Sequence, residues 1–228
     1  MENKALITTI RWIIVILTPF VLGTGIVRGL IAWDYPAFEY SRIAPDDYGF
    51  TLDERLALAH QTLDYLQRPE PASETIYLLE EMRLPDSGDP VYNERELGHM
   101  IDVKVVADAF RTAFWIMAAI VVVGYGFLLA RPGTRLEAFR AMFHGGIFTT
   151  GILIVIGLFM AVAWSFVFTQ FHNLFFDPGT WVFYYTDSLI RLFPEQFWLD
   201  FGIIWAGLVF VAGLVDAVVG FVLVRRGG

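Results

Sequence analysis

Between Ala141 and Phe176 the chain runs for 36 residues without a single Asp, Glu, Lys or Arg. A run of that length finds enough apolar surroundings only in a very large core or in a bilayer. As one straight helix it would measure about 54 Å, against the ~30 Å of a bilayer's hydrocarbon. Its last part is therefore expected to leave the hydrocarbon and lie at the interface. Gln170, His172 and Asn173 appear there among aromatic side chains. The span itself is placed at 143–169, and three more stretches reach spanning length at 6–32, 109–130 and 201–224. With 56% hydrophobic residues, 21 Phe and 7 Trp among 228, the composition agrees with a membrane chain.

The expected architecture is an all-α membrane protein, one integral membrane domain with four transmembrane helices. A small, mainly helical extracytoplasmic insertion occupies 33–106 between the first and second spans. A short cytoplasmic loop covers 131–142, and an aromatic interfacial segment, re-entrant or a surface helix, covers 170–200. The first span reads as a retained helix rather than a cleaved signal. Its apolar stretch is longer than a signal core, and no small-x-small site precedes Trp33-Asp34-Tyr35-Pro36. Arg11 and Arg28 are expected to snorkel toward opposite surfaces.

Orientation follows from the basic residues of the short loops. Lys4 and Arg11, then Arg131, Arg135 and Arg140, then Arg225 and Arg226 fall on one side if there are four spans. That side is expected to be cytoplasmic, with both termini inside. The outward segment 32–106 carries 16 acidic against 6 basic residues and holds the bulk of the net charge of −8. Such a surface argues against nucleic acid as a partner. The absence of cysteine removes disulfides, thiolate nucleophiles and Cys-based zinc sites together. An outward domain without disulfides points to a bacterial plasma membrane.

Within the insertion, Leu52, Leu56, Leu58, Ala59, Leu63 and Leu66 have the spacing of an amphipathic helix that ends before Pro69. Thr51 or Asp53 is expected to cap it. Residues 75–82 read as a short helix or strand, and 85–90 as a loop. Asn93 followed by Glu96 reads as a capping box with Asn in place of Ser or Thr. Leu97, Ile101 and Val105 then continue helically into the second span, so His99 rides on a helix that merges with a membrane helix.

His99 and His172 are the candidate chemistry. Each stands just outside a span, and the topology puts both on the outer side. Imidazole titrates near neutrality and can serve as base and acid in one cycle. The plainer reading is that each merely bridges polar and apolar zones. Glu96-x-x-His99 has the i, i+3 spacing of di-iron bundles, but no second such pair exists, so neither metal nor cofactor is expected. Asp216 lies deep in the fourth span and is expected to pair with Arg11; the alternative is a proton or ion pathway. His60 and His144 read as structural. Ser165, Thr169 and Ser188 are the nearest hydroxyls, without any Gly-x-Ser-x-Gly elbow. Arg191 reads equally as a headgroup ligand or a snorkelling arginine.

Three strings carry a resemblance. They are Tyr92-Asn93-Glu94-Arg95-Glu96-x-x-His99-Met100-x-Asp102-Val103, Phe171-His172-x-x-Phe175-Phe176-x-x-Gly179-x-Trp181-x-Phe183, and Asp187-x-Leu189-Ile190-x-Leu192-Phe193-Pro194-x-x-Phe197-Trp198. Together they resemble the four-pass bacterial membrane proteins that include the lipoprotein intramolecular transacylases, over nearly the whole chain. The resemblance implies movement of the sn-2 acyl chain of an S-diacylglyceryl cysteine onto its own α-amino group, giving a lyso-form lipoprotein. By motif, His99 and His172 would be the catalytic pair, with Glu94, Arg95, Glu96 and Asp102 supporting them. Phe171, Phe175, Phe176, Trp181 and Arg191 would contact the substrate. The implied partners are a diacylglyceryl-modified lipoprotein and membrane lipid. The competing readings are a small transporter or accessory subunit without catalysis, and another lipid acyltransferase or lipase on the same scaffold.

Overall fold

The computed structural model describes residues 4–227, and among them helices account for nearly all regular structure. In chain order these are α1 (Lys4–Ala32), α2 (Tyr35–Tyr40), α3 (Leu52–Gln67), α4 (Ala72–Thr75) and α5 (Tyr77–Glu80). Then come α6 (Glu94–Leu129), a 3-10 turn (Pro132–Thr134), α7 (Arg135–Phe175), α8 (Ser188–Leu192) and α9 (Glu195–Gly227). An isolated bridge pairs Arg83 with Pro90 around the expected 85–90 loop. The helices α1, α6, α7 and α9 are long and apolar enough to cross a membrane. The protein is a four-span, all-α membrane protein.

These long helices outrun their apolar windows. A helix stops at a cap or a proline rather than where hydropathy falls, so α6 starts behind Asn93 and α9 behind Pro194. The segment 170–200 accordingly is not one surface helix. It is the end of α7, a turn through Gly179 at φ 88°, the short α8 and the start of α9. The 41 residues of α7 are interrupted at Ala163, whose φ and ψ of −148° and 42° are not helical.

The chain divides into two compact units. Among the described residues the first comprises 4–30, Arg111–Val162 and 203–227. Ile14, Leu128, Ala138 and Ala141 form its buried cluster, with Ile7, Ile10, Val121, Tyr125 and Phe127 packed around them. Close approach of α7 and α9 needs glycine: a Cβ on Gly146 would collide with the backbone of Gly213 and Ala217, and one on Gly220 with the backbone of Phe143. Arg11 pairs with Glu137 at 2.7 Å rather than with Asp216 as expected. Glu137 sits in the first turn of α7 and also takes Arg140. An ion pair near a helix end keeps more hydration than one at the depth of Asp216. Asp216 lies instead near Tyr125. His144 stacks on Trp12 at 6.0 Å.

The second unit comprises Ile31–Phe110 and Ala163–Gly202. Its core gathers Phe50, Leu58, Tyr65, Leu79, Met82, Val91, Tyr92, Met100, Leu189 and Leu192. Of the leucines with amphipathic spacing on α3, Leu58 is in this core and Leu66 packs against it, whereas Leu52, at the first turn of the helix, is exposed instead. Thr51 caps α3 in a full capping box with Glu54. Buried tyrosines tie elements together through their hydroxyls. Tyr40 donates to the carbonyl of Leu192 at 2.6 Å and Tyr65 to that of Met100 at 3.2 Å. The ammonium of Lys104, wholly buried, donates to the carbonyl of Arg68 at 2.8 Å and to Asp108. Buried polar groups need such partners, and these fix α2 against α8 and α3 against α6. His60 pairs with Asp34 at 2.8 Å.

Candidate active site

His99 owes its place to the start of α6. Asn93 accepts hydrogen bonds from the amides of Arg95 and Glu96 at 3.0 and 3.1 Å, while Glu96 Oε2 accepts from the Asn93 amide at 2.8 Å. This is the reciprocal cap that the sequence predicts. Glu96 is almost wholly buried, and its other oxygen, Oε1, accepts from the backbone N–H of Leu189 at 2.7 Å. One carboxylate thus closes the first turn of α6 and pins α8 to it. His99 follows one turn later.

His172 stands on the last turn of α7. Its Nδ1 lies 2.8 Å from the backbone carbonyl of Phe168. A carbonyl can only accept, so Nδ1 carries the hydrogen and the lone pair of the neutral ring is on Nε2. The centroids of the His99 and His172 rings are 6.4 Å apart, with 21° between their planes. One reacting atom at about 3 Å from each ring would fit that separation.

Aromatic side chains enclose the pair. Phe176 lies 4.8 Å from His99 and 5.7 Å from His172. Phe183 lies 5.3 Å from His99, and Trp181 and Phe168 lie 4.8 and 4.1 Å from His172. Phe171 touches His172 at 5.7 Å, and Phe175 packs between Phe171 and Phe110. His99 is 6% exposed, and its Nδ1 is buried without a hydrogen-bond partner. Beside the pair, Asp102, Val105, Val106, Phe175, Phe176 and Asp177 line a cavity of about 160 Å³. Ser188 is buried at the start of α8.

The sequence-predicted residues therefore divide. His99, His172, Phe171, Phe175, Phe176 and Trp181 come together, and Asp102 joins them at the cavity. Glu96 and Arg95 act on the frame around them. Glu94 is exposed in the first turn of α6, where its charge complements the helix N-terminus. Arg191 is committed elsewhere. Its guanidinium donates to Asp46 at 3.1 and 2.8 Å and lies 3.6 Å from the centroid of Phe50. Burial alone would raise the Asp46 carboxyl. Hydrogen bonds from Arg191 and from the amides of Phe50 and Tyr48 outweigh it and hold the group below its usual value. Phe168 is a site-forming residue that sequence reasoning passed over, whereas Phe183 and Asp187 stand in the resembling strings with no role assigned to them there. Phe183 had a signal, since the half-buried Trp181 and Phe183 alternate along the chain with the exposed Val182 and Tyr184.

Four helices long enough to span a membrane, with His99 near the start of α6 and His172 near the end of α7 enclosed by aromatic rings, define a polytopic helical membrane protein with a buried imidazole pair. Comparison with known proteins narrows the class. Residues 6–198 match the family described as lipoprotein intramolecular transacylase Lit. An uncharacterized protein of Aquifex aeolicus is 31% identical over 209 residues, 90% of either chain. The structure of the Bacillus cereus lipoprotein intramolecular transacylase Lit superposes with a TM-score of 0.64, at 19% identity, over 99% of this chain and 97% of that one. A variant of that protein with one histidine replaced by alanine matches at 0.63, at 18% identity, over 98% and 96%. This chain belongs to the Lit family of acyl-transferring membrane enzymes.

Proposed function

We propose that the protein converts an S-diacylglyceryl lipoprotein to its N-acyl, lyso-glyceryl form, with His99 and His172 as the acid–base pair. The observation that carries this reading is the pair itself: two imidazoles 6.4 Å apart, walled by Phe176, Phe183 and Trp181. Aminolysis of an ester needs a neutral amine, and an α-amino group titrates near 7.7–8.0. The lone pair on His172 Nε2 takes a proton from the attacking α-amine as nitrogen bonds to the sn-2 carbonyl carbon. The tetrahedral adduct then breaks its C–O bond, and the proton returns to the glyceryl oxygen. One N–C bond forms, one C–O bond breaks, and no other reactant enters. Ester and amine belong to one molecule, so proximity supplies much of the rate and no enzyme nucleophile is required. The basic short loops support termini on the cytoplasmic side and a site opening to the outer leaflet of a bacterial plasma membrane, where such substrates are anchored.

Mass spectrometry of a reporter lipoprotein's N-terminal peptide tests the reading. The lyso, N-acylated peptide is expected with the wild-type protein. His99→Ala and His172→Ala are each expected to lower its formation by about 10²–10⁴-fold while the protein still inserts. Full activity in the double variant refutes the roles of both histidines. Capture of an acylated Ser165, Thr169 or Ser188 refutes the single-step route.

A further inference from the structure

Asp187 stands at the N-cap of α8, where an aspartate ordinarily accepts from the first free amides of its own helix. Here it makes no such bond. The Leu189 amide in that turn goes to Glu96 of α6 instead, at 2.7 Å. The Asp187 carboxylate turns back on the preceding segment. Its Oδ2 accepts from Arg95 Nη2 at 2.6 Å and from the Tyr184 amide at 2.8 Å, and its Oδ1 accepts from Asn93 Nδ2 at 3.3 Å. The guanidinium of Arg95 lies 4.9 Å from the centroid of Tyr184 and 5.7 Å from that of Phe183. A cation engaging a carboxylate and two aromatic faces at once is more firmly held than an ordinary surface ion pair.

What this contact restrains matters to the site. Residues 182–184 have neither helix nor strand structure, and 185–187 close a turn in which the Asp187 amide donates to the Tyr184 carbonyl at 2.9 Å. Trp181 lies against His172 and Phe183 against His99, while Val182, Tyr184 and Tyr185 are exposed. His99, at 6% exposure, cannot meet an ester until a covering ring moves. Phe176 is itself buried, at the end of α7. Phe183 is carried by a segment without helix or strand pairing, fastened to α6 through Asp187.

We propose that residues 181–187 are a strap over the two imidazoles and that Asp187, through Arg95, is the positioning residue that latches it. The latch fixes Phe183 and Trp181 against the rings and so controls access to His99. The choice of substrate rests on the transacylase reading, whereas the strap does not depend on it.

The test uses Asp187→Asn, which keeps the shape of the side chain and removes its charge, in the detergent-solubilised full chain. Diethyl pyrocarbonate modification, read by mass spectrometry at each histidine, should be roughly tenfold faster at His99 than in the wild type, the scale of one charge-assisted hydrogen bond. His60 and His144 should be unchanged. On the reporter lipoprotein, kcat should fall by a similar factor without a rise in KM, and Arg95→Lys should retain most of the activity. An unchanged His99 rate overturns the latch, and so does equal acceleration at His144, which would mean general loosening. If the wild type forms no lyso peptide, the transacylase reading fails while the His99 footprint still decides the strap.

Discussion

Glu39 is the most exceptional single side chain outside the site. It is wholly buried in α2, and neither carboxylate oxygen has a hydrogen-bond partner. Its titratable neighbours are the Asp200 carboxyl, the neutral Tyr35 phenol and the exposed Arg42. Burial, and then the Asp200 carboxyl, push Glu39 above the usual carboxylate range. A carboxyl raised in the folded state binds more protons folded than unfolded, so stability falls as pH rises between the two values. Glu39→Gln removes that penalty. It is expected to melt higher than wild type at pH 7, with the difference vanishing below about pH 4, the range of an unperturbed Glu. Melting curves in detergent at the two pH values check this, and equal curves at pH 7 would contradict it. The Asp46–Arg191 pair has the opposite sign. Its depressed carboxylate keeps the pair ionised below the ordinary Asp range, so its contribution persists at neutral pH and is lost only in stronger acid.

Among the elements, α7 and α9 depend most on small residues. Lipid tails are as apolar as leucine, so membrane helices associate through close packing. Gly220 approaches the backbone of Phe143, which cannot swing aside as a side chain would. Gly220→Ala is expected to destabilise by about 1–3 kcal/mol, the usual cost of overpacking. Gly157 offers the control on α7, since a Cβ there meets nothing within 4 Å. Gly157→Ala should be neutral or stabilising by up to about 1 kcal/mol, because alanine loses less backbone entropy in a helix. Thermal unfolding of the two variants side by side separates the effects. A Gly220→Ala protein as stable as Gly157→Ala would show that the two helices can move apart without loss.

For the molecule as a whole, the testable property is its sidedness. Basic residues gather in the 131–140 loop and at Arg225 and Arg226, and acidic ones in 33–106. That asymmetry supports termini inside and the imidazole-bearing unit outside. The chain has no cysteine, so single cysteines report cleanly. Ser87→Cys in intact cells should react with a membrane-impermeant maleimide, and Gly133→Cys only after the membrane is opened. The reverse pattern would invert the topology and place the imidazoles on the cytoplasmic face.

Local signals made much of this protein legible. Hydropathy over a window of one span located the four membrane helices, because burying twenty apolar residues in lipid leaves little alternative. The Asn93 and Glu96 cap placed His99 on a rigid helix, since a capping box closes within three residues. The partner of each group was another matter. Arg11 had two carboxylates available, and packing gave it Glu137 instead of Asp216. Arg191, equally suited by sequence to a headgroup, was taken by Asp46 and Phe50. The aromatic run 181–185 announced an interface, but not that alternate rings would cover the imidazoles while Asp187 gave up its own helix to hold them. His99 and His172 lie 73 positions apart, and only the packing of α6 against the end of α7 sets their rings 6.4 Å from each other. Hydropathy and capping act over one or a few turns of chain, so sequence alone carries them. Contacts between distant segments depend on which of several compatible partners the packed chain brings into reach, and that is settled only in three dimensions.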